Sequence, residues 1–113
     1  MDPIGFVRRL VRADLLYADT PPADAAAFAA HAHHLMVAPH AFASAVTLAA
    51  SLHFIASIPN GLVLEFDQNP NGLRDELLKE PIGIEPDGMI KLPERPGLGI
   101  ELDRSAVERY RSE

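Results

Sequence analysis

The chain has 113 residues and a formal net charge of −6, from 10 Lys and Arg against 16 Asp and Glu. This length suits one domain or part of one, with a modest hydrophobic core. The acidic balance argues against nucleic-acid binding as the main task, because contacts to phosphates need a basic surface.

The amino-acid composition also excludes several kinds of site. The sequence contains no cysteine, which excludes disulfides, cysteine-ligated zinc and thiol nucleophiles and fits a cytoplasmic protein. The longest apolar run, residues 41–58, contains four Ser or Thr, a histidine and many alanines. It therefore predicts a buried helix rather than a membrane span, and we expect no membrane partner.

Short apolar runs alternate with alanine-rich segments in the first half of the chain. The runs at residues 15–17, 35–38 and 62–64 are bounded by turn residues, which is typical of buried parallel strands. Residues 24–34 and 44–57 lie between these runs and are predicted to be helices. The alternation of strands and helices indicates parallel βαβ units.

An ionisable residue follows each predicted strand: Asp19, His40 and Glu65. In a (β/α) barrel the carboxyl ends of the strands form one rim, and this rim carries the chemistry. Three such side chains on successive strands would converge there. The pattern makes these three residues the candidate catalytic residues.

Each of the three residues also has an alternative without catalysis. Asp19 can be a turn carboxylate before two prolines, and His40 can be a turn or surface histidine after Pro39. Glu65 ends an apolar run, where a carboxylate needs solvent or a partner such as Arg74. The residue pattern alone leaves these alternatives open.

Three histidines cluster at the end of the first predicted helix. His31 and His34 lie three residues apart and could share a metal. Histidines in a last turn also interact favourably with the negative end of the helix dipole, and we favour this interpretation. No metal ligand is therefore assigned within this chain. His53 is predicted to be packed or partly exposed within the second helix.

The second half of the chain is rich in turn residues. Residues 81–93 are predicted to form a β-hairpin around Asp87 and Gly88, since Asp-Gly favours a tight turn. Residues 97–102 are predicted to be extended, and residues 104–111 to form a closing helix. Either Asp103 or a capping box of Ser105 and Glu108 can begin that helix.

Several segments together resemble one protein family. They lie at residues 37–42 (VAPHAF), 48–53 (LAASLH), 64–67 (LEFD), 73–78 (LRDELL) and 95–101 (RPGLGIE). In combination they resemble the enolase superfamily, and more narrowly the carboxyl-terminal region of the mandelate racemase/muconate lactonizing enzyme family. The sequence of residues 64–76 is similar to the corresponding segment of sugar-acid dehydratases and sugar-lactone cycloisomerases of that family.

The resemblance implies a Mg²⁺-dependent enzyme acting on a carboxylate small molecule, a hydroxy or sugar acid. A base removes the proton α to the carboxylate, and the metal stabilises the enediolate before racemisation, dehydration or cycloisomerisation. By this resemblance His40 would transfer the proton, and Asp19 would hold its imidazole, as a His–Asp dyad. Glu65 corresponds to an acid that hydrogen-bonds the developing oxyanion or the substrate carboxylate.

The implied fold is α/β, a partial (β/α) TIM-type barrel made of the last three strand–helix units. Residues 1–66 would form this barrel segment, and residues 67–113 a tail with a hairpin and a helix that packs toward the capping region. The family's Mg²⁺ ligands lie on earlier strands and are absent from this chain. We therefore expect the chain to be inactive by itself. His34 stands where the family usually has a glycine.

The alternative function is a non-catalytic truncated remnant or a split-barrel interaction module. Three parallel strands leave two open edges, and open edges must be covered. Such a chain would associate with itself or with an amino-terminal partner fragment.

Overall fold

The computed structural model of the chain describes residues 23–111. The predicted strand at residues 15–17 and Asp19 lie outside this range. Within it, four helices follow one another: α1 (Ala23–Ala32), α2 (Ala45–Ser57), α3 (Gly72–Asp75) and α4 (Arg104–Arg109). The described residues divide into two compact units, one of residues 23–40 and 54–65 and the other of residues 41–53 and 66–111. No helix between residues 23 and 111 is long and apolar enough to cross a membrane.

The first two helices confirm the helices predicted at residues 24–34 and 44–57. The alanine-rich α1 ends in a tight reversal, in which the N–H of Leu35 donates to the carbonyl of Ala30 at 2.9 Å. The N–H of His34 donates to the carbonyl of His31 at 2.9 Å, and His34 has a φ of 54°. These two bonds form a Schellman motif, whose left-handed position favours glycine.

In the first unit, two parallel bridges join the segment that follows α1 to the segment that follows α2. Val37 pairs with Gly61, and His40 pairs with Glu65. The predicted parallel pairing is confirmed at these two points, but the predicted regular strands at residues 35–38 and 62–64 are wrong. Pro39 lies between the bridges and has no N–H to contribute to a continuous ladder.

A small hydrophobic core holds α1 against this strand pair. Ala27, Ala30 and Val37 are fully buried, and Phe54 and Ile58 from the α2 region pack against them. Alanine on the buried face of α1 allows the backbones to approach closely. Gly61 serves the same purpose, since a Cβ there would lie 2.8 Å from Cγ1 of Ile55.

Asn60 ties the helix end to the strand pair. Its side chain is 4% exposed, and its Nδ2 donates to the carbonyls of Ala27 at 3.1 Å and Leu35 at 3.0 Å. Its backbone carbonyl accepts from the N–H of Val37 at 2.9 Å. One residue therefore satisfies carbonyls on two elements and begins the strand pairing.

The second unit contains the antiparallel bridge of Leu78 with Leu102, followed by α4. Asp103 caps this helix by accepting from the backbone N–H of Ser105 and Ala106, so it and not the capping box begins α4. The predicted hairpin at residues 81–93 is wrong. A turn forms, in which the N–H of Gly88 donates to the carbonyl of Glu85 at 2.9 Å and the N–H of Glu85 donates to the carbonyl of Met89 at 2.7 Å. No β-bridge continues the pairing beyond this turn. Prolines at both ends remove donors that a ladder needs.

The left-handed residue after α1 gives the first prediction. We expect His34→Gly to raise the free energy of unfolding by about 0.5–1 kcal/mol, because glycine adopts φ 54° without the Cβ penalty. Urea unfolding followed by circular dichroism measures the change. His33→Gly is the matched control, since His33 has no positive φ, and we expect it to lower stability. Equal effects at the two positions would contradict the role of the left-handed conformation.

The buried amide gives the second prediction. We expect Asn60→Ala to destabilise the protein by about 2–3 kcal/mol, because it leaves the carbonyls of Ala27 and Leu35 without their donor. Asn69→Ala serves as control, since Asn69 is exposed and bonds only the nearby Asp67. A loss at position 60 no larger than at position 69 would show that the two bonds contribute nothing.

Candidate functional site

The backbone brings together two of the three candidate catalytic residues. His40 and Glu65 are partners in a parallel bridge, and the N–H of Glu65 donates to the carbonyl of Pro39 at 2.9 Å. Both residues stand at the carboxyl ends of their chain segments, as the sequence predicted. Asp19 lies outside the described residues, so its place beside them stays a prediction.

The two side chains have different environments. His40 is half-buried, and its Nδ1 atom is buried. Glu65 is exposed, and no Lys, Arg or His among residues 23–111 lies within ion-pair distance of its carboxylate. The two paired residues thus combine a half-buried imidazole with an exposed carboxyl group.

Arg74, the alternative partner considered for Glu65, has other partners in the second unit. Its Nε and Nη2 donate to the two carboxylate oxygens of Asp75 at 2.7 and 3.0 Å. Its Nη1 donates to the backbone carbonyl of Asp67 and lies 3.7 Å from that residue's Oδ2. The guanidinium also lies over the ring of Phe66, 5.5 Å from the centroid. Arg74 therefore organises the segment that follows Glu65.

The sequence did not predict this arrangement of Arg74 with Asp67, Asp75 and Phe66, which we call the arginine cluster. A signal was present, because Asn71 is followed by a short charged segment that it caps, with its side chain accepting from the N–H of Leu73. A four-residue helix is too short to show periodicity. The hydrogen bond from Arg74 lowers the pKa of Asp75, and the same bond raises the pKa of Arg74.

The other histidines do not join the site. His53 lies in the second unit, where its Nε2 donates to the carbonyl of Leu98 at 3.1 Å, which confirms that it is packed. His31, His33 and His34 are exposed. Over residues 23–111, no group of three or more His, Cys, Asp or Glu side chains comes together to hold a metal. The described residues therefore do not fit a magnesium site of their own.

Comparison with known proteins identifies the fold to which this arrangement belongs. Residues 13–106 match the Enolase C-terminal domain-like family. The structure superimposes on that of a mandelate racemase/muconate lactonizing enzyme-like protein from Rubrobacter xylanophilus DSM 9941, with a TM-score of 0.67 and 32% identity. That alignment covers 80% of this chain and 23% of the other. The matched region in such relatives belongs to a TIM-barrel-type domain.

Two curated relatives indicate the branch of the family to which the chain is similar. The chain is 33% identical over 87 residues to D-galactarolactone cycloisomerase of Agrobacterium fabrum, covering 70% of this chain and 23% of that protein. It is 37% identical over 78 residues to D-xylonate dehydratase of Haloferax volcanii, covering 69% and 19%. The chain belongs to the enolase superfamily, in its mandelate racemase/muconate lactonizing enzyme branch, which confirms the resemblance. It spans about a fifth of the length of these curated relatives.

The arginine cluster gives the third prediction. The folded-state pKa of Asp75 lies below its ordinary value of 3.8, so its stabilising contribution is present above that value and is lost as pH falls through the lowered pKa. We expect Arg74→Gln to reduce stability at neutral pH, and this loss should shrink as the pH falls below 3.8. Urea unfolding between pH 2 and 7, in about unit steps, measures this difference.

Arg104 offers a matched control, because it is an exposed arginine on α4 without an ion pair among residues 23–111. Arg104→Gln should change stability little, with no pH dependence. If Arg74→Gln were as destabilising at pH 2 as at pH 7, packing on Phe66 and not the carboxylate contacts would carry the effect.

Proposed function

We propose that this chain forms the last part of the barrel of an enzyme that removes the proton α to the carboxylate of a hydroxy or sugar acid. The observation that carries the proposal is the pairing of His40 with Glu65 at the carboxyl ends of two parallel segments. The names of the two curated relatives support the substrate class, since one acts on a galactarolactone and the other on a xylonate.

His40 is the proton carrier in this proposal. In this role the imidazole takes the α proton from a bound acid and returns it. Asp19 is proposed to hold the imidazole in the orientation for this transfer and to favour its charged form. Because an imidazole exchanges protons near neutral pH, one residue can act as base and then as acid.

Glu65 is the proposed partner for the substrate oxygens. When the α proton leaves, negative charge develops on the carboxylate of the substrate. A group that donates a hydrogen bond there stabilises this charge, and this is the role proposed for the acid at Glu65. Bridge pairing of His40 with Glu65 supports this division of roles, since it brings the two residues together. In the proposal the proton leaves toward His40 and the charge forms toward Glu65.

The rest of the barrel is proposed to come from a preceding section, in the same polypeptide or in a partner. Residues 1–66 would be the barrel segment in that assembly, and residues 67–113 the tail toward the capping region. Exposed apolar side chains next to the strand pair favour this, since Met36 is 49% and Leu62 is 65% exposed. The chain by itself would be inactive, because the described residues provide no set of metal ligands.

The fourth prediction tests the catalytic pair in a complete barrel. The full 113-residue chain is fused behind the section of D-galactarolactone cycloisomerase that precedes its matched region. In D₂O, nuclear magnetic resonance follows exchange of the α proton of D-galactarolactone and D-xylonate. We expect exchange with the fusion, and a loss of about 10²–10⁴-fold in His40→Asn. Glu65→Gln should reduce it about 10²–10³-fold.

His53→Asn is the control for the histidine substitution, since His53 is a packed helix residue outside the pair. We expect it to keep the exchange rate of the fusion. The proposal would be wrong if His40→Asn exchanged the α proton as fast as His53→Asn in a folded fusion. Exchange by the 113-residue chain alone would contradict the proposed need for a preceding section.

A further inference from the structure

The two bridges that pair the strands do not share one register. Val37 pairs with Gly61, an offset of 24 residues, whereas His40 pairs with Glu65, an offset of 25. Three residues separate the partners along one segment and four along the other. The second segment therefore holds one extra residue, which is a bulge in a parallel pair.

The hydrogen bonds locate this bulge between Leu62 and Glu65. The N–H of Leu62 donates to the carbonyl of Val37 at 2.8 Å, and the next donor along the segment is Glu65, which bonds the carbonyl of Pro39 at 2.9 Å. In a regular parallel ladder donors are two residues apart, so Leu64 would make the second bond. Leu62 and Val63 are 65% and 54% exposed, as expected where a segment bows away from its partner.

The extra residue changes the face to which Glu65 belongs. Val37 is buried and packs with the alanines of α1. Pro39 is also buried, whereas Ala38 and His40 are half-buried, so His40 lies on the opposite face from Val37. Gly61 faces Ile55 of α2. Residues four apart share a face in a regular strand, so without the bulge Glu65 would face the helices with Gly61.

In a regular register, no carboxylate would stand opposite His40. Position 64 would then stand opposite His40, and position 64 is a leucine. A carboxylate turned toward the helix layer would be buried without a partner, which is unfavourable. The bulge instead exposes Glu65 and pairs it with His40.

We propose that the one-residue bulge at residues 62–64 is a positioning device that turns Glu65 onto the face of His40. The proposal rests on the proposed function, in which both side chains act on one substrate. Bulges that re-aim side chains occur beside active sites, at the expense of local backbone pairing. Here the bulge decides which residue type, leucine or glutamate, stands opposite the histidine.

Disulfide trapping in the full 113-residue chain tests this geometry, because the protein has no cysteine of its own. Paired residues on neighbouring strands have the Cα separation and the Cβ directions that a disulfide needs, whereas residues on opposite faces direct their Cβ atoms apart. We expect His40→Cys/Glu65→Cys to form an intramolecular disulfide at least about tenfold faster than His40→Cys/Leu64→Cys under mild oxidation. Mobility on a non-reducing gel at low protein concentration separates this product from intermolecular dimers.

Faster closure of the Leu64→Cys pair would overturn the proposal, because it would show the regular register. Equal rates, or no disulfide from either pair, would also overturn it, since the bulge would then not fix one partner for position 40. Amide hydrogen exchange on the unsubstituted chain is independent of whether the double variants fold. We expect slow exchange at Leu62 and Glu65 and fast exchange at Leu64, and slow exchange at Leu64 would contradict the bulge.

The two proposals fail in different ways. If His40 has no role in proton transfer, the fusion with His40→Asn keeps its exchange rate while the Glu65→Cys pair still closes faster. If only the bulge is absent, the Leu64→Cys pair closes faster while His40→Asn still loses activity.

Discussion

Parallel pairing of residues 37–40 with residues 61–65 is the constraint on which the first unit depends. Three backbone hydrogen bonds carry it, and they join segments more than 20 residues apart in the chain. Closing so long a connection costs conformational entropy, so α1 and α2 must recover it by burying apolar surface. The alanines of α1 and Gly61 allow this burial, because small residues let helices and strands approach closely.

Asn60 links that pairing to the end of α1. Its backbone carbonyl begins the pairing, and its side-chain amide satisfies two carbonyls around the helix end. The reversal after α1 uses a left-handed histidine where glycine would be unstrained. A strained residue persists when its surroundings determine its conformation, and here the surrounding bonds to Ala30 and His31 do so.

The charged residues of the two units serve different purposes. In the second unit several cations are paired with carboxylates, as Arg74 is with Asp75 and Arg109 with Glu76, so these pairs organise loops and short helices. In the first unit Glu65 is exposed at a strand end without an ion pair among residues 23–111. Backbone pairing therefore holds Glu65 beside His40, and no charged neighbour among the described residues neutralises it.

The amino-acid sequence was sufficient to predict the two long helices, the parallel pairing and the family. Periodicity and alanine content predicted α1 and α2, the order of elements predicted parallel pairing, and the segments from 37–42 to 95–101 indicated the enolase superfamily. It also predicted that His40 and Glu65 end paired segments, because a residue after an apolar run stands at a strand end.

Only the tertiary structure decided how far those pairs extend and which side chain stands opposite His40. The hairpin predicted at residues 81–93 does not form, since local Asp-Gly chemistry makes a turn but cannot supply the donors that prolines remove. The one-residue bulge cannot be predicted from composition or periodicity, because a segment of four residues is too short for its hydrophobic alternation to reveal a change of register. Register is a relation between two distant segments, and it is fixed by their hydrogen bonds and packing rather than by either segment alone.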